Sequence, residues 1–382
     1  MDPSDALGVW LVGARGAVAT TAMTGWCALR DRLVQPTGLV TESTPLAHAP
    51  LAPLPALVFG GHDIDDRALV KQAHALAADR VLPADVVERA AEGLEAIEAD
   101  LRPGIRATDA GGSARAEQDL RAFIERHGLR RVVVINVSST EPPAPDEITG
   151  ATPTELEAAA DSTDPSVPAS VRYAVAAMRA GCAFVDFTPS SVTRIDAFDA
   201  LARARRLPYA GRDGKTGETL LKAALAPMFL DRALHVRSWA GTNVLGGGDG
   251  KTLSSPENVH SKLASKKGIL QHILGEEVES LVRIDYVADL GQWKTAWDLI
   301  SFDGFLGTPM KMQFTWEGCD AALAAPLVLD LARLTGAAMR AREVGTLGAL
   351  GYFFKDPVGS DEHRLDRQFA RLCHWALSLP GA

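Results

Sequence analysis

Two patterns of apolar residues divide the chain. From the start to about residue 230, short runs that are apolar at every position alternate with stretches whose apolar residues recur every three to four positions. The runs are 8–13 (GVWLVG), Ala56–Phe59, 131–137 (RVVVINV), 183–187 and 207–210. Strands that are apolar on both faces belong to parallel sheets covered on both sides. The helical stretches between them cover roughly 14–32, 66–77, 84–100, 114–127, 169–180 and 195–205. This βαβα rhythm predicts a doubly wound α/β domain. Beyond residue 230 the period changes. After a strand at His235–Trp239 and a helix from Pro256, alternation at 279–287, 295–302 and 308–316 predicts an open, largely antiparallel sheet in a second domain. The Ala/Leu-rich stretch Ala321–Arg340 reads as a long helix returning to the first domain, and 142–168 as the most loop-like segment. No internal repeat is visible.

Composition narrows the function. The net charge is −9 and no basic tail or block is present, which argues against nucleic acid or an anionic membrane as the main partner. No uncharged apolar stretch has the length of a spanning helix. The first ten residues have neither the basic region nor the apolar core of a secretory signal. Cys27, Cys182, Cys319 and Cys373 are far apart and match no zinc spacing, so no metal site is expected; they read as reduced thiols of a cytoplasmic protein. The cations are the unusual feature. Of 39 Lys and Arg only ten are Lys, and nine of those lie between Lys215 and Lys355. An even spread would put about four there. Unlike Arg, a buried Lys can lose and regain its proton, so the clustering points to acid–base chemistry.

Several loops stand where ligands bind. Gly13 to Ala19 lies between a strand and a helix, the place where helix N-terminal amides meet a dinucleotide's pyrophosphate, although the spacing departs from GxGxxG at Arg15. Gly60 to Asp65 follows another strand and can supply a second cofactor loop; a plain turn capped by Asp is the bland alternative. Asn136 to Thr140 ends the best strand at the carboxyl edge. The tripeptides Gly214-Lys215-Thr216 and Gly250-Lys251-Thr252 fail as triphosphate loops, since Tyr209 and Leu245 occupy the first glycine position. The segment 211–219 nevertheless opens a helix and can hold a phosphomonoester through backbone amides. Ser255-Pro256 starts a helix that places Lys262 and Lys266 four residues apart on one face. Like charges at that spacing oppose each other, which favours an anion or proton-transfer site over a merely solvated face. Lys294, on a strand, and Lys355, in GYFFKDP, are similar candidates.

The ordered blocks LVFGGHDID (57–65), NVSSTEP (136–142), GCAFVDFTPS (181–190), GRDGKTGET (211–219), LGGGDG (245–250), SPENVHSKLASK (255–266), DLGQWKTAWD (289–298), CDAALAAPLVLDL (319–331) and YFFKDP (352–357) resemble the myo-inositol-1-phosphate synthase family, in its bacterial type. The resemblance implies a Rossmann-type NAD-binding domain from both chain ends (1–230 and 320–382) with an inserted α+β catalytic domain (231–319), in a cytoplasmic homotetramer. It implies an NAD-dependent, redox-neutral isomerase. A hexose 6-phosphate is oxidised at carbon 5, closed by an intramolecular aldol step and reduced again, giving myo-inositol 1-phosphate from glucose 6-phosphate. Lys262, Lys294, Lys355 and Asp249 would be catalytic. Lys266, Lys215, Thr216, Gly217, Glu218 and Thr219 would hold the phosphate. Gly13, Arg15, Gly16, Ala17, Val18, Asp63, Ile64, Asn136, Ser138, Thr188, Asp213, Gly247, Gly248 and Asp320 would hold NAD.

Three departures put the substrate in question. The family's Asn-bearing loop is here Gly246-Gly247-Gly248, Gln292 stands where many members carry Asp, and His260 replaces a common Arg or Ala. A pocket without the two Asn side chains can admit a larger acceptor. With fructose 6-phosphate the same chemistry would close a five-membered ring onto the ketone at carbon 2. A simple NAD-linked dehydrogenase is the remaining enzyme alternative, and a non-catalytic NAD-binding relative would lack the lysines.

Overall fold

A computed structural model describes residues 6–106, 108–109, 111–246, 268–275 and 278–381. In chain order its strands are β1 (Leu7–Val12), β2 (Leu57–Asp63), β3 (Leu101–Pro103), β4 (Val132–Asn136), β5 (Ala183–Asp186), β6 (Pro208–Gly211), β7 (His235–Leu245), β8 (Glu279–Tyr286), β9 (Trp293–Asp303), β10 (Pro309–Cys319) and β11 (Gly345–Thr346). Two compact units result. The first contains residues 1–214, 325–360 and 372–382, and the second 215–324 and 361–371.

The first unit is built on a seven-stranded sheet in the order β11-β6-β5-β4-β1-β2-β3, with every pairing parallel. β1 and β4 are buried at every position, as their uninterrupted apolar runs require. Chain order reverses between them, which makes their carboxyl ends the switch point where open α/β sheets bind ligands. Helices cover both faces. One core gathers Leu7, Leu11, Phe59, Val133 and Leu331, the other Trp10, Val134, Phe184 and Phe198. Asp320–Arg340 is the one helix among the described residues long and apolar enough to cross a membrane, but it is mostly buried and serves as a core helix. Its Asp330 accepts hydrogen bonds from the amides of Val40 (2.8 Å) and Thr41 (3.0 Å) and from Thr41 Oγ1 (2.5 Å), which fixes an otherwise irregular stretch of chain to the sheet layer.

The second unit holds a four-stranded sheet ordered β10-β9-β7-β8. The β10–β9 and β9–β7 pairs are antiparallel, and β7–β8 is parallel. A parallel pair needs a crossover, and part of this one is the helix at 268–274. One sheet face packs Trp239 and Ile300 against Ala223, Ala226 and Phe229 of the helix Gly217–Asp231. That packing puts this helix in the second unit, so the unit boundary falls at Gly214 rather than at 230. Residues 361–371 join it as well, outside the expected 231–319.

Segment 142–168, expected to be the most loop-like, is about half loop, because it also forms helices Asp146–Thr149 and Pro153–Asp161. The second begins with a capping box in which Thr152 and Glu155 each bond the other's backbone amide, with Pro153 at the first helical position. That signal was present in the sequence as TPTE. The amphipathic helix Leu365–Ser378 and the short edge strands β3 and β11 also lie outside the predicted elements. The helix expected from Pro256 lies outside the described residues.

Candidate active site

The carboxyl edge of the seven-stranded sheet collects most of the expected cofactor residues. The turn after β1 starts at Gly13, whose φ is +86°. The amides of Gly13 and Ala14 both donate to the His62 carbonyl at the end of β2, at 2.9 and 3.1 Å. A Cβ on Gly13 would lie 2.7 Å from Ser138 Cα, so only glycine lets the turn pack against the end of β4. Helix Ala17–Arg30 follows, with Gly16 at its N-cap, no side-chain cap and no acidic residue in its first turn. The helix therefore presents amides and a positive dipole end. Asp63, at the end of β2, accepts from the Arg15 amide (2.6 Å) and the Asp65 amide (2.9 Å). The Arg15 side chain turns away to Glu98 and the Arg67 carbonyl, so it positions the loop rather than blocking the turn. Ile64 is exposed beside it. These features fit a dinucleotide: a glycine turn, an uncapped helix start and a carboxylate at the end of the second strand.

Beyond the turn, β4 and β5 end in a buried polar cluster. Asn136 Oδ1 accepts from Ser138 Oγ at 2.7 Å, and Asn136 Nδ2 donates to Asp186 Oδ1 at 3.2 Å. Asp186 Oδ1 also accepts from the Thr188 amide (3.1 Å) and hydroxyl (2.7 Å). Burial lifts the Asp186 carboxyl to about 7 despite these donors. Nothing in the local pattern singles out Asp186, because its β4 partner Asn136 is 50 residues away.

The end of β6 carries Asp213, whose φ is +61°. Its carboxylate accepts from Lys355 Nζ at 2.8 Å, and its carbonyl from the Lys355 amide at 2.7 Å. Lys355 is thus a half-buried ammonium held by a carboxylate rather than a free surface lysine. Asp213 faces this lysine within the first unit.

In the second unit, Lys294 near the start of β9 donates to Asp320, which also accepts from Thr216 Oγ1 at 2.9 Å. The Lys294 ammonium lies 5.2 Å from the centre of the Trp316 ring. Gly217, with φ +63°, opens the helix that follows, and a Cβ there would lie 2.5 Å from Lys294 Nζ. The helix start, the lysine and Asp320 thus share one small volume. Asp320, expected among the cofactor residues, is the partner of Lys294 and Thr216.

The turn 215–219 holds its side chains differently from the phosphate-binding expectation. Lys215 is buried and donates to Gln368, and burial pushes its ammonium down to about 7. Glu218 turns inward to Lys222 (2.7 Å) and Asn243 (2.8 Å), and Thr219 is buried. The backbone amides of the helix start carry no side-chain cap, although Glu218 stands in the first turn, so these amides are the groups here that an anion could meet. Asp249, Lys262, Lys266, Gly247 and Gly248 lie outside the described residues. Among the described residues no group of three or more His, Cys, Asp or Glu could hold a metal ion.

A family model described as myo-inositol-1-phosphate synthase matches residues 7–376. The chain is 33% identical to inositol-3-phosphate synthase 1 of Bacteroides thetaiotaomicron over 94% of this chain and 91% of that protein. It is 28% identical to inositol-3-phosphate synthase 1 of Oryza sativa subsp. japonica over 86% and 74%. In fold it is similar to the solved inositol-3-phosphate synthase of Caenorhabditis elegans, with a TM-score of 0.84, 22% identity, and coverage of 98% of this chain and 86% of that one. The myo-inositol-1-phosphate synthase-related protein of Thermotoga maritima matches with a TM-score of 0.78 at 22% identity, over 99% and 100%. The switch-point turn, the two lysine–carboxylate pairs and a match over nearly the whole length lead to one conclusion: the chain belongs to the myo-inositol-1-phosphate synthase family, a family of enzymes of the intramolecular isomerase type.

Proposed function

We propose that the protein is an NAD-dependent, redox-neutral cyclase that converts glucose 6-phosphate to myo-inositol 1-phosphate. The observation that carries this reading is the pairing of Lys294 with Asp320 and of Lys355 with Asp213, lysines at family positions each held by a carboxylate. Each carboxylate holds its ammonium in a fixed position. A charged ammonium stabilises negative charge developing on a substrate oxygen and returns a proton when that oxygen needs one. Gly13, Gly16, Ala17 and Val18 would hold the NAD pyrophosphate, Asp63 and Ile64 the ribose, and Asn136, Ser138 and Thr188 the carboxyl edge. Bound NAD supplies a hydride acceptor that is restored within the same turnover. Lys262, Lys266 and Asp249 complete the set by resemblance.

The proposed assembly is a cytoplasmic homotetramer. On the sheet face away from the helix, Leu281 and Trp297 are 64% and 40% exposed, and a second copy would cover these apolar side chains. Light scattering should give four times the 40.5 kDa chain mass. A monomer at micromolar concentration rules the assembly out.

Product identity tests the function. Protein supplied with NAD and carbon-13 glucose 6-phosphate should yield a six-membered cyclitol phosphate with no net absorbance at 340 nm. Stoichiometric NADH would instead mark a simple dehydrogenase. A five-membered product made efficiently from fructose 6-phosphate would favour the second reading, whose support is the side-chain-free Gly247-Gly248 pair.

A further inference from the structure

Asp186 is fully buried at the end of β5, yet it is joined by hydrogen bonds to both functional parts of the first unit. On one side, Asn136 bridges Asp186 to Ser138, whose backbone lies against the Gly13 turn. On the other side, Asp186 holds Thr188, and the Thr188 carbonyl accepts from the Asp213 amide at 2.9 Å. Asp213 in turn holds Lys355 at 2.8 Å. The hydrogen bonds run without a break from Ser138, which packs against the turn after β1, to the ammonium of Lys355.

We propose that Asp186 is the positioning residue that couples the cofactor edge of the sheet to the Asp213–Lys355 pair. The inference rests on the cyclase reading and extends it to a residue that meets neither cofactor nor substrate. All three donors converge on Asp186 Oδ1, and Oδ2 is buried with no hydrogen-bond partner among the described residues. A proton on Oδ2 leaves this arrangement intact, whereas an ionised carboxylate would leave a buried charge with one bare oxygen. The charge acting on it is the Arg212 guanidinium after β6, with the Asp213–Lys355 pair one link further on. Burial lifts the carboxyl to about 7, so both forms occur near neutrality. Ionisation puts negative charge on the edge that receives a pyrophosphate, so cofactor affinity falls as pH rises through that range.

The test compares the wild-type protein with Asp186→Asn and Asp186→Val. It measures NAD affinity by calorimetry at pH 6.0 and 8.5, kcat and KM for the sugar phosphate, and melting temperature. Wild-type affinity should fall at least threefold between the two pH values. Asp186→Asn, which mimics the protonated acid, should keep the affinity measured at pH 6.0 at both. Asp186→Val removes every acceptor and should weaken NAD binding by about tenfold and lower kcat by about tenfold or more, with the sugar phosphate KM within threefold. Asp186→Asn keeps the test decisive if Asp186→Val does not fold. Wild-type affinity that ignores pH, or an Asp186→Asn variant that keeps the pH dependence, overturns the inference while leaving the cyclase reading in place. A wild-type protein that neither binds NAD nor turns over overturns both.

Discussion

Lys294→Met should lower kcat about a thousandfold, the upper end of the loss when one donor stabilising a developing oxyanion is removed. NAD affinity and melting temperature should change little. Lys294 donates to Asp320 and lies over the Trp316 ring, and the Asp320 side chain is 47% exposed. Its carboxylate can therefore be solvated when the ammonium is gone, and the fold loses only a solvent-screened ion pair. Lys294→Arg should fail nearly as badly. Arg keeps the charge but cannot give up a proton, and its planar fork does not fit a space where a Cβ on Gly217 would already lie 2.5 Å from Nζ. Stopped assays of cyclitol phosphate, alongside calorimetric NAD titration, measure both halves of the prediction. Turnover within tenfold of wild type for Lys294→Met would remove this lysine from the catalytic set.

Gly13→Ala should weaken NAD binding by tenfold to a hundredfold, equivalent to about 1.4–2.8 kcal/mol. The turn has φ +86°, where an L side chain is strained, and the added methyl would meet Ser138 Cα at 2.7 Å and its amide nitrogen at 2.9 Å. Relief requires the turn to move away from β4, which carries the Gly16 helix start with it. Gly16→Ala is the control. Gly16 has φ −67°, and a Cβ there would meet only the Gly13 carbonyl, at 3.2 Å. It should melt close to wild type, whereas Gly13→Ala should melt several degrees lower. Equal NAD affinity for Gly13→Ala and wild type would show that the cofactor does not use this turn.

Much of the fold is legible in the sequence. The uninterrupted apolar run of β4 demanded a covered parallel sheet, and the alternation in β9 and β10 demanded a sheet with one buried face. The unit boundary was not legible. Helix Gly217–Asp231 looks the same in sequence whether it packs on the first sheet or the second, and only the match of Phe229 to Trp239 and Phe302 decides it. The lysine cluster pointed to chemistry in the right stretch of chain, yet it did not separate roles. Lys215 and Lys294 are both conspicuous in the sequence, but one is buried against Gln368 and the other is held by Asp320.

The sequence by itself determined the family, the alternation of elements and the identity of the chemically capable side chains, because these depend on local periodicity and on residue type. Tertiary structure alone decided which of those side chains are paired and in what state. Asp186 meets Asn136 across 50 residues, Lys355 meets Asp213 across 142 and Lys215 meets Gln368 across 153. A carboxyl or ammonium takes its charge from burial and from the partner brought to it, and folding sets both.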